Sequence, residues 1–147
     1  MGDVTGIERT LVLLKPDAVT RGLVGRVLSR FEEALLKVVA CKMVQMDADL
    51  NRQHYFDLED RFGPEVYNAV ASFMQTGPVF AFVLEGVEAV AIVRKLVGAT
   101  YPDQAAPGTI RKEFAISLGE NSAHGSDGPE TAAVEIAQWF SGNEIVG

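Results

Sequence analysis

Three apolar runs set the terms on which this chain can fold: residues 10–14 (TLVLL), 38–46 and 79–84 (VFAFVL). Each is too short to cross a bilayer, and the first and third are closed off by polar or turn-forming residues, as buried strands are. Lys15-Pro16-Asp17 ends the first run, where proline breaks the ladder. Between the runs, apolar residues recur every three to four positions. Val24, Val27, Leu28, Phe31 and Leu35 predict an amphipathic helix over residues 23–37. Further helices are predicted over residues 50–60, with Asp49 as the cap, and over 65–75 and 87–97. A last helix is predicted over 129–140, with Pro129 in its first turn. Residues 121–124 read as a short strand and 98–112 as a long loop, either functional or a contact surface. Residues 114–118 fit either strand or helix. The order predicts a mixed α/β sandwich with helices over one sheet, a split βαβ arrangement being one solution.

At 147 residues the chain is long enough for one domain with a real core. Its 20 acidic against 13 basic residues give a net charge of -7, which argues against a nucleic-acid binder. A small anionic substrate remains open to it, because a few convergent cations set the local field. The single cysteine, Cys41, excludes an internal disulfide and a cysteine zinc site, and a reducing, cytoplasmic setting is expected. Residues 1–6 carry neither the basic start nor the apolar core of a signal peptide. Neither membrane nor nucleic acid is expected as a partner.

The common phosphate-binding motifs, G-x-x-x-x-G-K-[ST] and G-x-G-x-x-G, are absent, and Arg61-Phe62-Gly63 is not the D-F-G of protein kinases. His54 and His124, the two histidines, lie far apart in the chain, so a histidine metal site is not expected. His124 stands in N-S-A-H-G-S-D-G, between a strand end and a dense turn, with small neighbours that leave room around the ring. An ordinary imidazole titrates near pH ~6.5, so near neutrality much of it is uncharged and nucleophilic. Glu135 on the following helix could fold back to hold one tautomer, and Ser126 could orient that carboxylate, the pattern of covalent catalysis. A turn residue with satisfied polar contacts is the competing reading. Lys15, Arg94 and Arg111 could converge on a polyphosphate, or sit apart on solvated faces. Thr100 and Asn121 could hydrogen-bond phosphate or sugar hydroxyls, or merely close turns. Tyr55 and Cys41 read most simply as packing residues, and Trp139 as a core or interface anchor.

Seven segments, taken in order, resemble the nucleoside diphosphate kinase family over almost the whole length. They are E-R-T-L-V-L-L-K-P-D at 8–17, R-G-L-V-G at 21–25, Q-H-Y at 53–55, T-G-P-V at 76–79, L-V-G-A-T at 96–100, P-G-T-I-R at 107–111 and H-G-S-D at 124–127. The resemblance implies a ferredoxin-like βαββαβ domain, residues 1–147, with a four-stranded antiparallel sheet. It implies a phosphotransferase that moves the γ-phosphoryl group of a nucleoside triphosphate, typically ATP, to a nucleoside diphosphate. The route is ping-pong through a phosphohistidine at His124. Glu135 and Ser126 take the positioning roles beside it. Lys15, Tyr55, Arg94, Thr100 and Arg111 correspond to phosphate-holding residues, and Asn121, with Lys15, to residues at the ribose. Mg²⁺ is implied as the cofactor, carried by the nucleotide's own phosphates rather than a protein cage. Nucleoside triphosphates and diphosphates are the implied partners, together with other copies of the chain in a hexamer or a tetramer.

The chain also departs from the family pattern. Ala18 replaces a usual glycine, Lys112-Glu113 replaces Gly-Asp, and Ser122-Ala123 replaces two bulky aliphatics, implying looser packing behind the nucleophile. Residues 62–73 run about three residues longer than the common form, which leaves Val66, Tyr67 and Val70 as candidates to meet the base. The competing class is a non-catalytic nucleotide-binding scaffold of the same fold.

Overall fold

The computed structural model describes residues 6–98, 106–114 and 123–147, with the backbone alone for Arg111 and Phe114. Thr100, Asn121, Ser122 and residues 115–118 therefore lie outside the described residues. The elements are β1 (Ile7–Leu14), α1 (Pro16–Thr20), α2 (Val24–Glu33), β2 (Lys37–Val44), α3 (Ala48–His54) and α4 (Leu58–Phe62). After them come α5 (Pro64–Met74), β3 (Val79–Val87), α6 (Ala89–Val97), α7 (Ile110–Phe114), β4 (Ala123–Gly125) and α8 (Pro129–Trp139). The four strands form one antiparallel sheet in the order β2-β3-β1-β4. This is the βαββαβ arrangement, with α3 to α5 inserted between β2 and β3.

The apolar runs read from the sequence are the central strands. Leu11 to Leu14 and Ala81 to Leu84 are buried on both sides. Val12, Leu14, Phe82 and Leu84 join α2 and α6 in one core through Val27, Phe31, Ala89, Val93 and Val97. Leu11, Leu13, Ala81 and Val83 face the other way and pack with Met74, Trp139 and Phe140. Helices thus cover both faces of the sheet, in keeping with the expected sandwich of helices over one sheet. Continuous apolar strands require that, since each must bury side chains in both directions.

Several local ends differ from expectation for identifiable reasons. The first predicted helix stops at Glu33 because Leu35 adopts φ +67°. The Leu36 N–H then bonds the Phe31 carbonyl at 3.2 Å and the Leu35 N–H the Glu32 carbonyl at 3.0 Å, a left-handed terminus normally given to glycine. The expected cap Asp49 is replaced by Asp47, whose Oδ1 accepts the Leu50 N–H at 2.8 Å. The helix predicted over 50–60 breaks at Tyr55 into α3 and α4, while Phe62-Gly63-Pro64 separates α4 from α5 as predicted. β3 runs on to Val87, its end held by the Arg9–Glu85 ion pair at 2.9 Å and by the tight approach of Gly86 to Leu36.

Leu35 is 88% exposed, so its side chain contributes little burial while its backbone sits in a region that costs an L-residue about 1–2 kcal/mol. Leu35→Gly is expected to raise the unfolding free energy by about 0.5–1 kcal/mol, the greater freedom of the unfolded glycine chain offsetting part of the relief. Urea denaturation reads this directly, and an unchanged or lower midpoint would contradict it.

Candidate active site

β4 has three residues and pairs with β1 in the register Val12–Gly125, Leu13–His124 and Leu14–Ala123. Alternation sends Ala123 into the first core, where it is fully buried. Gly125 faces the same way: an added Cβ would come within 2.8 Å of Val93 on α6. His124 is left on the α8 face. Ala123 is thus enclosed, while Ser122, the other small residue before His124, lies outside the described residues.

α8 returns across that face and delivers Glu135. Glu135 Oε1 lies 3.1 Å from His124 Nε2 and accepts the Ser126 hydroxyl at 2.7 Å. Ser126 is itself fully buried beside β1, its N–H bonding the Leu11 carbonyl at 3.2 Å. Burial raises the Glu135 carboxyl, but hydrogen bonding and charge from His124, with His54 and Ser126, outweigh it and hold the group below its ordinary value. The carboxylate is therefore charged at neutral pH and orients the imidazole through Nε2.

His54, which the sequence left aside, belongs to the same cluster. It is buried at the end of α3, with its ring 4.7 Å from that of His124 and nearly perpendicular to it. Its Nδ1 accepts the Trp139 N–H at 3.2 Å, so Trp139 is more than core packing. Burial, reinforced by the charges of His124 and Lys15 against a weaker pull from Glu135, lowers the His54 pKa to about 3. Lys15 stands at the junction of β1 and α1, as the residue preceding the first turn of that helix. Tyr55 packs edge-on against His54 at 4.6 Å. Burial, with Glu135 nearby, raises its phenol, and the hydroxyl has no protein partner among the described residues.

Arg94 comes from α6. Its Nη1 donates to the Gly125 carbonyl at 3.4 Å and pairs with Asp127 at 3.3 Å, which sets the guanidinium beside the His124 strand. Arg111 lies on α7, a short helix whose start is shaped by Thr109: its hydroxyl donates to the Ala106 carbonyl and accepts the Lys112 N–H. Arg30 on α2 ties this turn down by bonding the Gly108 carbonyl at 3.0 Å and pairing with Glu113. A recess of about 210 Å³ reaches His54 and Glu135 from another side, between Phe56 and Val134. Neither Lys15 nor Arg94 lines it, so it lacks the cations a polyphosphate requires. Of the residues considered for the base, Tyr67 is buried under the Arg52 guanidinium at 3.9 Å, and Val70 packs into the second core. Val66 is exposed, as is Phe62, an aromatic side chain the sequence reading passed over.

The nucleoside diphosphate kinase family model matches residues 8–145. The chain belongs to the nucleoside diphosphate kinase family. It is accordingly a phosphotransferase whose substrates are nucleotides. The nucleoside diphosphate kinase of Methylocella silvestris is 51% identical over 141 residues, covering 96% of this chain and 99% of the relative. That of Staphylococcus epidermidis is 45% identical, with coverages of 95% and 91%. Among solved structures, the transition-state mimic of the Borrelia burgdorferi enzyme with vanadate and ADP superposes with a TM-score of 0.91. It shares 43% identity and covers 97% of this chain and 92% of that one. The Halobacterium salinarum enzyme in complex with CDP gives 0.90 at 43% identity, with coverages of 95% and 91%. Among the described residues no helix is long and apolar enough to cross a membrane.

The neutral, buried His54 sets an acid limit on this nucleoside diphosphate kinase fold. Between an ordinary pKa near ~6.5 and the folded value of about 3, the unfolded chain takes up a proton that the native ring refuses. Stability is complete above that interval and falls with falling pH by about 1.4 kcal/mol per unit for one proton. Glu135, its carboxyl depressed, acts in the same sense at lower pH: its contribution is lost as pH falls through its folded value. His54→Gln should remove about one proton's worth of slope between roughly pH 4.5 and 6 in urea unfolding. An identical slope in the variant would show that His54 titrates normally in the fold.

Proposed function

We propose that His124 is the residue that carries the phosphoryl group, with Nδ1 as the attacking atom. The observation behind this reading is the 3.1 Å contact between His124 Nε2 and a Glu135 carboxylate that Ser126 also holds. With Nε2–H engaged, the lone pair of the neutral ring is on Nδ1. In the first half-reaction Nδ1 forms a bond to the γ-phosphorus of a nucleoside triphosphate. The bond from phosphorus to the bridging oxygen breaks, and the diphosphate leaves with that electron pair. The ring becomes a phosphoimidazolium that keeps its Nε2 proton and donates it in a hydrogen bond to Glu135. In the second half-reaction a terminal oxygen of another nucleoside diphosphate attacks the same phosphorus, and the P–N electrons return to Nδ1. Similar bond energies on either side let the cycle run in both directions.

Phosphoryl transfer asks mainly for alignment and neutralised charge. Lys15, Arg94 and Arg111 are assigned that task, with Thr100 and the unpartnered Tyr55 hydroxyl as hydrogen-bond donors to phosphate. Asn121, together with Lys15, is assigned to the ribose. Phe62 and Val66 are the large exposed apolar side chains of their segment and are available to a base. Mg²⁺ enters as part of the substrate, on the nucleotide's phosphates. The described candidate ligand cluster, His54, His124 and Glu135, is rich in nitrogen and poor in oxygen, a bad match for so hard a cation.

Residues 1–147 are read as one domain, acting in the cytoplasm. A homo-oligomer is assigned, a hexamer ahead of a tetramer; Ile7 and Val87, cross-strand partners, leave an exposed apolar pair that an interface would cover. Mass photometry measures the size.

Labelled ATP should produce a covalent phosphoenzyme that is stable in base and lost in acid, as a phosphoramidate is. His124→Ala should abolish it; equal labelling of that variant refutes the assignment. Glu135→Gln should slow the first half-reaction roughly tenfold to a hundredfold, because the ring loses its charged anchor while the nucleophile remains. Rapid-quench measurement of phosphoenzyme formation distinguishes this from a change in nucleotide affinity.

A further inference from the structure

Two imidazoles stand against each other in this site, and only one should react. His124 and His54 have ring centroids 4.7 Å apart at 80°, and with Glu135 they offer three ligand atoms lying within 4.8 Å of one another. Such a group resembles a metal-binding trio and contains a second nucleophile. What separates the two rings is the proton on each. Indole N–H is a donor only, and Trp139 directs it at His54 Nδ1 from 3.2 Å, inside the core. Nδ1 must therefore present its lone pair to Trp139. A neutral ring then carries its single proton on Nε2. The groups facing His54 are Glu135 and Trp139 from α8, His124 from β4, Lys15 from the end of β1 and Tyr55 beside it.

We propose that His54 is a positioning residue for His124, locked by the Trp139 N–H as the Nε2–H tautomer so that it sets the plane of the reactive ring and offers no free lone pair of its own. This rests on His124 being the phosphoryl carrier. One hydrogen bond to Glu135 fixes a point on the His124 ring and leaves rotation about that contact. The perpendicular face-to-edge contact with His54 removes the rotation. Two restraints together aim the Nδ1 lone pair, and in-line transfer is sensitive to that angle. The same lock disposes of the metal trio: both His54 nitrogens are already committed, one accepting from indole and the other bearing hydrogen.

The decisive measurement is ¹⁵N NMR of the histidine-labelled enzyme near pH 7. Wild type should show His54 as the neutral Nε2–H tautomer, and adding Zn²⁺ alone should leave its two nitrogen signals in place. Trp139→Phe keeps an aromatic ring but deletes the donor; His54 should then become a mixture of tautomers. The rate of phosphoenzyme formation should fall roughly tenfold or more with the KM for ATP unchanged. His54→Gln keeps an acceptor for Trp139 without the ring and should show the same loss of kcat at constant KM. An Nδ1–H or doubly protonated His54 in wild type overturns the proposal, as does a Zn²⁺-induced shift of its nitrogens. So does full activity in Trp139→Phe once its tautomers have mixed. The wild-type spectra need no variant to fold. They also report on His54 whether or not His124 labels with phosphate, so failure of the carrier assignment is seen separately, in the labelling of His124→Ala.

Discussion

A strand of three residues has few side chains to distribute between two faces, and β4 spends them in a way that leaves no latitude. Pairing Leu13 with His124 sends the imidazole to the α8 side and both neighbours to the α6 side. There Ala123 is enclosed and Gly125 lies under Val93. A slip of one residue would drive His124 into the first core and turn Ala123 and Gly125 toward the site. The packing of Val93 on Gly125 also brings the next residue of α6, Arg94, onto the Gly125 carbonyl. His124 and Arg94 are thus placed by a single register.

The electrostatics follow from burial on the α8 side. Glu135 is buried, and its charge is retained there only because Ser126 and His124 both bond the same oxygen. His54 is buried without an equivalent set of partners for its charged form, so it remains neutral. One charged acceptor, one neutral wall and one half-exposed ring between them make a directional site. Had both histidines been protonated, two like charges would have faced each other across a 4.7 Å ring contact.

His124, Ser126 and Glu135 were legible in the sequence because strand, turn and helix bring them together over eleven residues. The apolar runs at 10–14 and 79–84 likewise announced the two central strands. His54 was not legible as a site residue. It lies seventy positions away on α3, and only the passage of α8 over the sheet brings the two histidines into contact. Trp139 was read as an anchor because its donor points to a partner that local pattern cannot name. The helix boundaries slipped where backbone rules were overridden by tertiary contacts. At Leu35 a leucine accepts a left-handed conformation because Leu36 must enter the core beside Phe31. At Asp47 a cap two residues earlier competes successfully with Asp49.

A chain of net charge -7 must still hold a polyphosphate, and the state of Arg94 indicates how. Asp127 pairs with it at 3.3 Å, but the Asp127 side chain is 73% exposed, and an ion pair so well solvated contributes little. The Gly125 carbonyl, by contrast, holds the same guanidinium from the rigid strand. An arriving phosphate carries more charge than the carboxylate and offers bidentate geometry to arginine. Under the assignment of Arg94 to phosphate proposed above, it would displace Asp127 at small cost while the backbone contact keeps the arginine aimed. An acidic chain and an anionic substrate are compatible at such a position, because the Arg94 guanidinium is held by the backbone of β4 and only loosely neutralised by Asp127.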